Sequence, residues 1–171
     1  RAIRDVYKRQ PLPRAYIKYY GGAKKVHHLV GLVPSNKGTS MLGLEKFLNA
    51  SGNPLNTIFN AVAQFRNLGS LPQQLQDSTF LRELNADGMT VPGITYTVIA
   101  TRFDNRVFPW TNTFINEPGV KNIVIQDVCP LDHSAHTNIP YDPMTFQIVI
   151  NALDPERAAP VICTIRPFRP R

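Results

Sequence analysis

The chain of 171 residues has no run of about 18 consecutive apolar residues, and that excludes a membrane-spanning helix. It is poor in cysteine, with only Cys129 and Cys163, so a densely cross-linked small scaffold is excluded as well. Charge of one sign is scarce in its body. The net charge is +7, but Arg1, Arg4, Lys8 and Arg9 against Asp5 put +3 at one end. Arg166, Arg169 and Arg171 put +3 at the other, leaving +1 between them. A basic surface that tracks a nucleic-acid backbone is not written in such a body, and no recognition motif accompanies the charged ends. The sequence also lacks Gly-x-Ser-x-Gly. Its nearest approach is Gly38-Thr39-Ser40-Met41-Leu42-Gly43, with one residue too many between Ser40 and Gly43.

What is there suits one globular domain. The apolar fraction of 43% is ordinary for a core-forming chain, and the length allows a sizeable core. Arg1–Gln10 has no strand or helix period and reads as a non-native, adapter-derived segment outside the fold. Residues 11–165 read as the domain and residues 166–171 as a basic tail.

Along the domain, strands alternate with helices, which predicts an α/β fold with a mostly parallel sheet. Tyr16, Ile17 and Tyr20 mark a short helix stopped by Gly21-Gly22. Val26–Val33 is dense enough in apolar residues to be a strand buried on both faces. His27 and His28 fall on opposite faces of that strand, without the partners a metal site needs. Ser40 fits better as the cap of a helix over Met41–Asn49 than as a nucleophile.

Leu55, Ile58, Phe59, Val62 and Phe65 give a second amphipathic helix. A third segment runs from Leu68 to Leu84, broken at Gly69 and Pro72. These helices are either a cap-like insertion over a site or ordinary crossovers. Strands follow at Tyr96–Ala100 and Ile123–Ile125. Asp142-Pro143 opens a last helix with Met144, Ile148, Val149 and Leu153 as its buried stripe.

Two chemical groups follow the later strands. Asp104 lies just past the Tyr96–Ala100 strand, and His136 ends the turn-rich segment Cys129–His136 after the next. Acid after one strand and imidazole after the following one is the chain order of the last two members of an α/β-hydrolase triad. His133 and Asp132 are rivals for the two roles. Asp132 lies too close to His136 in sequence for acid and base on separate loops. Phe108-Pro109-Trp110 and Phe114 beside the acid either line an acyl pocket or pack the loop. On spacing alone, Cys129 and Cys163 are equally well read as a disulfide or as two free thiols.

The chain resembles the secreted bacterial triacylglycerol lipases of the lipase class 2 group, within the α/β-hydrolases. The resemblance runs from about Pro13 to Cys163. It is carried by residues 13–18, by 25–36 (KVHHLVGLVPSN), by 80–85, by 91–104 (VPGITYTVIATRFD) and by Cys129-Pro130-Leu131-Asp132. It implies the C-terminal part of an α/β-hydrolase with flanking helices and a helical cap-like insertion. It implies Asp104 as triad acid and His136 as triad base, and a Cys129–Cys163 disulfide, as suits an exported protein.

The implied activity is hydrolysis of lipid esters, at a lipid–water interface, with no cofactor or metal. The family's Gly-His-Ser-x-Gly elbow is expected just before Pro13, where Arg1–Gln10 stands, and the oxyanion-hole donors upstream or at the elbow. The expectation is therefore a secreted lipase seen without its nucleophile, whose signal peptide precedes it. The alternative is a non-catalytic relative that binds lipid or a partner.

Overall fold

The computed structural model describes residues 11–40 and 72–163. The helices expected over Met41–Asn49 and Leu55–Phe65, the first part of the Leu68–Leu84 segment and both basic ends lie outside the described residues.

Three parallel strands form the centre: β1 His28–Leu32, β2 Thr95–Ala100 and β3 Lys121–Val124, in the order β1-β2-β3. The register pairs Leu32 with Ile99 and Ala100 with Val124. This is an α/β arrangement. Because the strands are parallel, their C-terminal ends lie along one edge, where loops from different strands can meet.

β2 is central, and its alternation feeds both faces. Ile99 joins Val33, Ile125, Cys129, Ile139, Met144 and Ile148 in one core cluster. Tyr96 and Val98 join Ile115 in another, backed by Leu29, Met89 and Phe114. Helix α1, Leu12–Tyr19, packs Ala15 against Leu81 and Leu84 of α2, Thr79–Asn85. Ser78 caps α2 by accepting from the Leu81 amide at 3.3 Å.

After β3 comes a single turn, α3, Ile125–Val128. The last helix is α4, Pro143–Leu153. Asp142 caps α4 by accepting from the Thr145 amide at 2.7 Å, and Pro143 sits where its missing N–H costs nothing.

Several elements differ from the sequence reading. β1 is shorter than Val26–Val33, and each of its residues is partly rather than fully buried. Among the described residues it pairs with β2 alone. Ile125 is not in β3. It begins α3, where its side chain is fully buried in the core. Leu153 is 52% exposed, so the buried side of α4 is Met144, Thr145 and Ile148, with Val149 partly buried. Within Leu68–Leu84 the described α-helix starts only at Thr79. Gly21 does adopt the left-handed conformation that ends α1, with φ +75°.

A buried arginine ties the first helix to the rest. Arg14 is 4% exposed and donates to Met89 O at 3.1 Å, Asn85 Oδ1 at 2.7 Å and Asn36 Oδ1 at 3.4 Å. Desolvation pushes the guanidinium down to about 10 although Tyr96 and Glu117 pull it up, so it stays charged at neutral pH. Asn36 and Asn85 are themselves joined, Asn85 Nδ2 donating to Asn36 O at 3.0 Å.

Cys129 and Cys163 form a disulfide. It pins the end of the described chain to a fully buried position at the start of the histidine loop. Among the described residues no helix is long and apolar enough to cross a membrane.

Candidate active site at the strand ends

Two loops leave the C-terminal edge of the sheet side by side. The acid loop follows β2 and the histidine loop follows β3 through α3. Asp104 and His136 are 32 residues apart in sequence, yet His136 Nδ1 lies 3.0 Å from Asp104 Oδ1 and 2.9 Å from Oδ2. A carboxylate only accepts, so Nδ1 carries the proton and donates. The ring nitrogen on the opposite side, Nε2, is then the one that can take up a proton.

Asp104 is held from behind. Its Oδ1 also accepts from the amides of Arg106 and Val107, both at 2.8 Å. The pair is dry, with side-chain exposures of 0% for Asp104 and 4% for His136. In such surroundings a hydrogen bond is stronger than in water, and an unpaired partner costs more.

The rivals are placed elsewhere. Asp132 is fully buried, and its Oδ1 accepts from the Ser134 amide at 2.7 Å, shaping the histidine loop from within. His133 is exposed. It stacks on Phe103, with ring centroids 4.9 Å apart, and its Nδ1 lies 3.2 Å from Leu131 O.

Phe108 is 51% exposed, whereas Trp110 and Phe114 pack edge to face at 5.4 Å. The latter two therefore pack the loop rather than stand open beside the acid. Among the described residues no group of three or more His, Cys, Asp or Glu is placed to hold a metal; His27 is exposed and His28 lies within β1.

The sequence reading missed the residues that hold the two loops. Thr101 Oγ1 donates to Ser134 O at 2.7 Å. Gln126 Nε2 donates to Thr101 Oγ1 at 3.0 Å and to Asp132 O at 3.1 Å, and its Oε1 accepts from the Arg102 amide at 2.9 Å. A signal for Gln126 was present: it is a lone amide straight after the apolar run Ile123-Val124-Ile125.

On the other side Thr39, in the loop after β1, donates its hydroxyl to Arg106 O at 2.8 Å and accepts from the Phe108 amide at 3.0 Å. Ser40, read from the sequence as a cap rather than a nucleophile, donates its backbone amide to Phe108 O at 2.6 Å.

No known protein-family model and no curated protein matches the chain.

Proposed function

We propose that this chain supplies the acid and base of a serine-type lipid ester hydrolase, a triacylglycerol lipase of the α/β-hydrolase fold that is exported to an oxidising compartment. The observation that carries the reading is the buried Asp104–His136 pair, doubly contacted at 2.9 and 3.0 Å where parallel strands end. Support comes also from the resemblance over Pro13–Cys163 and from the disulfide, a bond that persists outside reducing compartments.

In this reading His136 Nε2 takes the proton of a serine hydroxyl as that oxygen attacks the ester carbonyl. Asp104 keeps the proton on Nδ1 and stabilises the imidazolium that forms. His136 then gives the proton to the departing alcohol, and in the second half activates water against the acyl-enzyme. The serine this reading requires is the one the resemblance implies, in a Gly-His-Ser-x-Gly elbow. The second reading is a relative that binds lipid or a partner without catalysis, and the upstream reading frame separates the two.

The test is the protein carrying this sequence behind its natural upstream residues, assayed for hydrolysis of p-nitrophenyl esters and for labelling by a fluorophosphonate. Turnover with labelling on the elbow serine is expected, while the 171-residue chain alone stays at background. An upstream frame without a serine elbow, or an elbow that neither labels nor turns over, would favour the binding protein.

A further inference from the structure

We infer that Thr101 and Gln126 are positioning residues, forming a buried polar joint that sets the separation between the acid loop and the histidine loop. The inference rests on reading Asp104 and His136 as acid and base, but the joint itself is testable apart from catalysis.

The joint uses every hydrogen-bonding group of its key hydroxyl. Thr101 is fully buried, and a hydroxyl has one proton to give and two lone pairs to fill. It gives the proton to Ser134 O at 2.7 Å and accepts from Gln126 Nε2 at 3.0 Å and the Phe103 amide at 3.2 Å. Gln126 is 5% exposed and uses both ends of its amide. Its oxygen holds the Arg102 amide, and its nitrogen reaches both Thr101 and Asp132 O.

Two side chains thus grip residues 102 and 103 on the acid side and residues 132 and 134 on the histidine side. Each gripped residue lies within four positions of Asp104 or His136. An apolar side chain at the buried position of Gln126 would carry less desolvation cost. What an apolar residue cannot do is fix two backbones at a set distance.

Positioning matters because a misplacement of about 1 Å can cost on the order of 100-fold in rate. The Phe103–His133 ring stack also links the two loops, but both rings are exposed, whereas Thr101 and Gln126 make their link in the buried interior. The Asp104–His136 contact is a further side-chain link between the two loops at this edge.

The variants are Thr101→Val and Gln126→Leu, which keep shape and remove the polar groups, with Thr101→Ser as the conservative control. The first readout is the low-field Nδ1 proton resonance of His136 in the 171-residue chain. The second is amide exchange of Arg106 and Val107, whose N–H groups bind Asp104. The inference expects the resonance to broaden or vanish and those two amides to exchange about 10-fold faster or more in Thr101→Val and Gln126→Leu. Amides in β2 should stay protected, and Thr101→Ser should keep the resonance.

In the serine-bearing protein the same two variants should lose about 100-fold in kcat with little change in KM. An unchanged resonance and unchanged exchange would overturn the inference. So would unfolding of both shape-conserving variants, which would make these residues core supports. An inactive serine-bearing parent would remove the catalytic reading and leave the resonance and exchange results to judge the joint.

Discussion

His136 Nδ1 sits between the two oxygens of Asp104, at 3.0 and 2.9 Å, and one of those oxygens is simultaneously held by two backbone amides. The carboxylate is thereby oriented before it orients the ring. Asp104→Asn keeps an oxygen for the Arg106 and Val107 amides but can present an NH2 to a nitrogen that needs an acceptor. The low-field resonance of His136 should disappear, with stability falling by only about 1 kcal/mol in urea titration. In the serine-bearing protein, activity should drop on the order of 10⁴-fold, because the imidazole is left in the wrong tautomer. Full activity would remove Asp104 from the mechanism.

Glu117 offers a pH prediction. Desolvation alone would raise its carboxyl, but hydrogen bonds from the Thr90 hydroxyl and from the Met89 and Thr90 amides outweigh it and hold it below the ordinary range. A depressed carboxyl stabilises the fold above its unfolded pKa and loses that contribution as pH falls through the folded value. Glu117→Gln should therefore be less stable than the parent at pH 7, by about 1 kcal/mol for a partly solvated group. The two melting curves should converge in acid. A difference that persists unchanged at pH 2–3 would assign the effect to packing.

Gly38 takes φ +78°, and a Cβ there would sit 2.6 Å from the Gln76 amide nitrogen. That amide donates to Thr39 O at 3.0 Å, so backbone stands in the way, not a flexible side chain. Gly38→Ala should cost about 2 kcal/mol or more, from strain and the clash together. Because Thr39 clips the acid loop at Arg106 and Phe108, the substitution should also speed amide exchange at Val107 and Phe108. A neutral Gly38→Ala in denaturant titration would contradict the placement of this loop.

The disulfide closes a loop with a sequence separation of 34. Cys163 is exposed, so Cys163→Ser removes the bond and leaves the buried Cys129 side chain in place. The expected loss is about 3–4 kcal/mol, read from urea unfolding with and without reductant. Reductant should destabilise the parent and leave Cys163→Ser unmoved. A parent indifferent to reductant would argue against the bond.

Much of this was legible before any coordinates. Thr95–Ala100 was readable because a β-branched apolar run between turn signals has few alternatives, and the Asp142-Pro143 start of α4 because capping chemistry is local. The order of Asp104 and His136 behind successive strands was legible, and the resemblance singled them out from Asp132 and His133. The errors fell where burial depends on neighbours distant in the chain. Val26–Val33 has the apolar density of a strand buried on both faces, yet every residue of His28–Leu32 is only partly buried. Leu153 follows the apolar period of α4, yet its last turn runs past the core and leaves it exposed.

Residue identity and local spacing fixed where strands begin, which helix is capped by Asp142, and which carboxylate and imidazole are available. They could not fix that those two meet, because a contact across 32 residues depends on parallel register bringing two strand ends to one edge. Nor could they show that Thr101 and Gln126 join the loops: a hydroxyl and an amide find partners wherever the folded backbone offers them, and those backbone groups are brought within reach only by the tertiary structure.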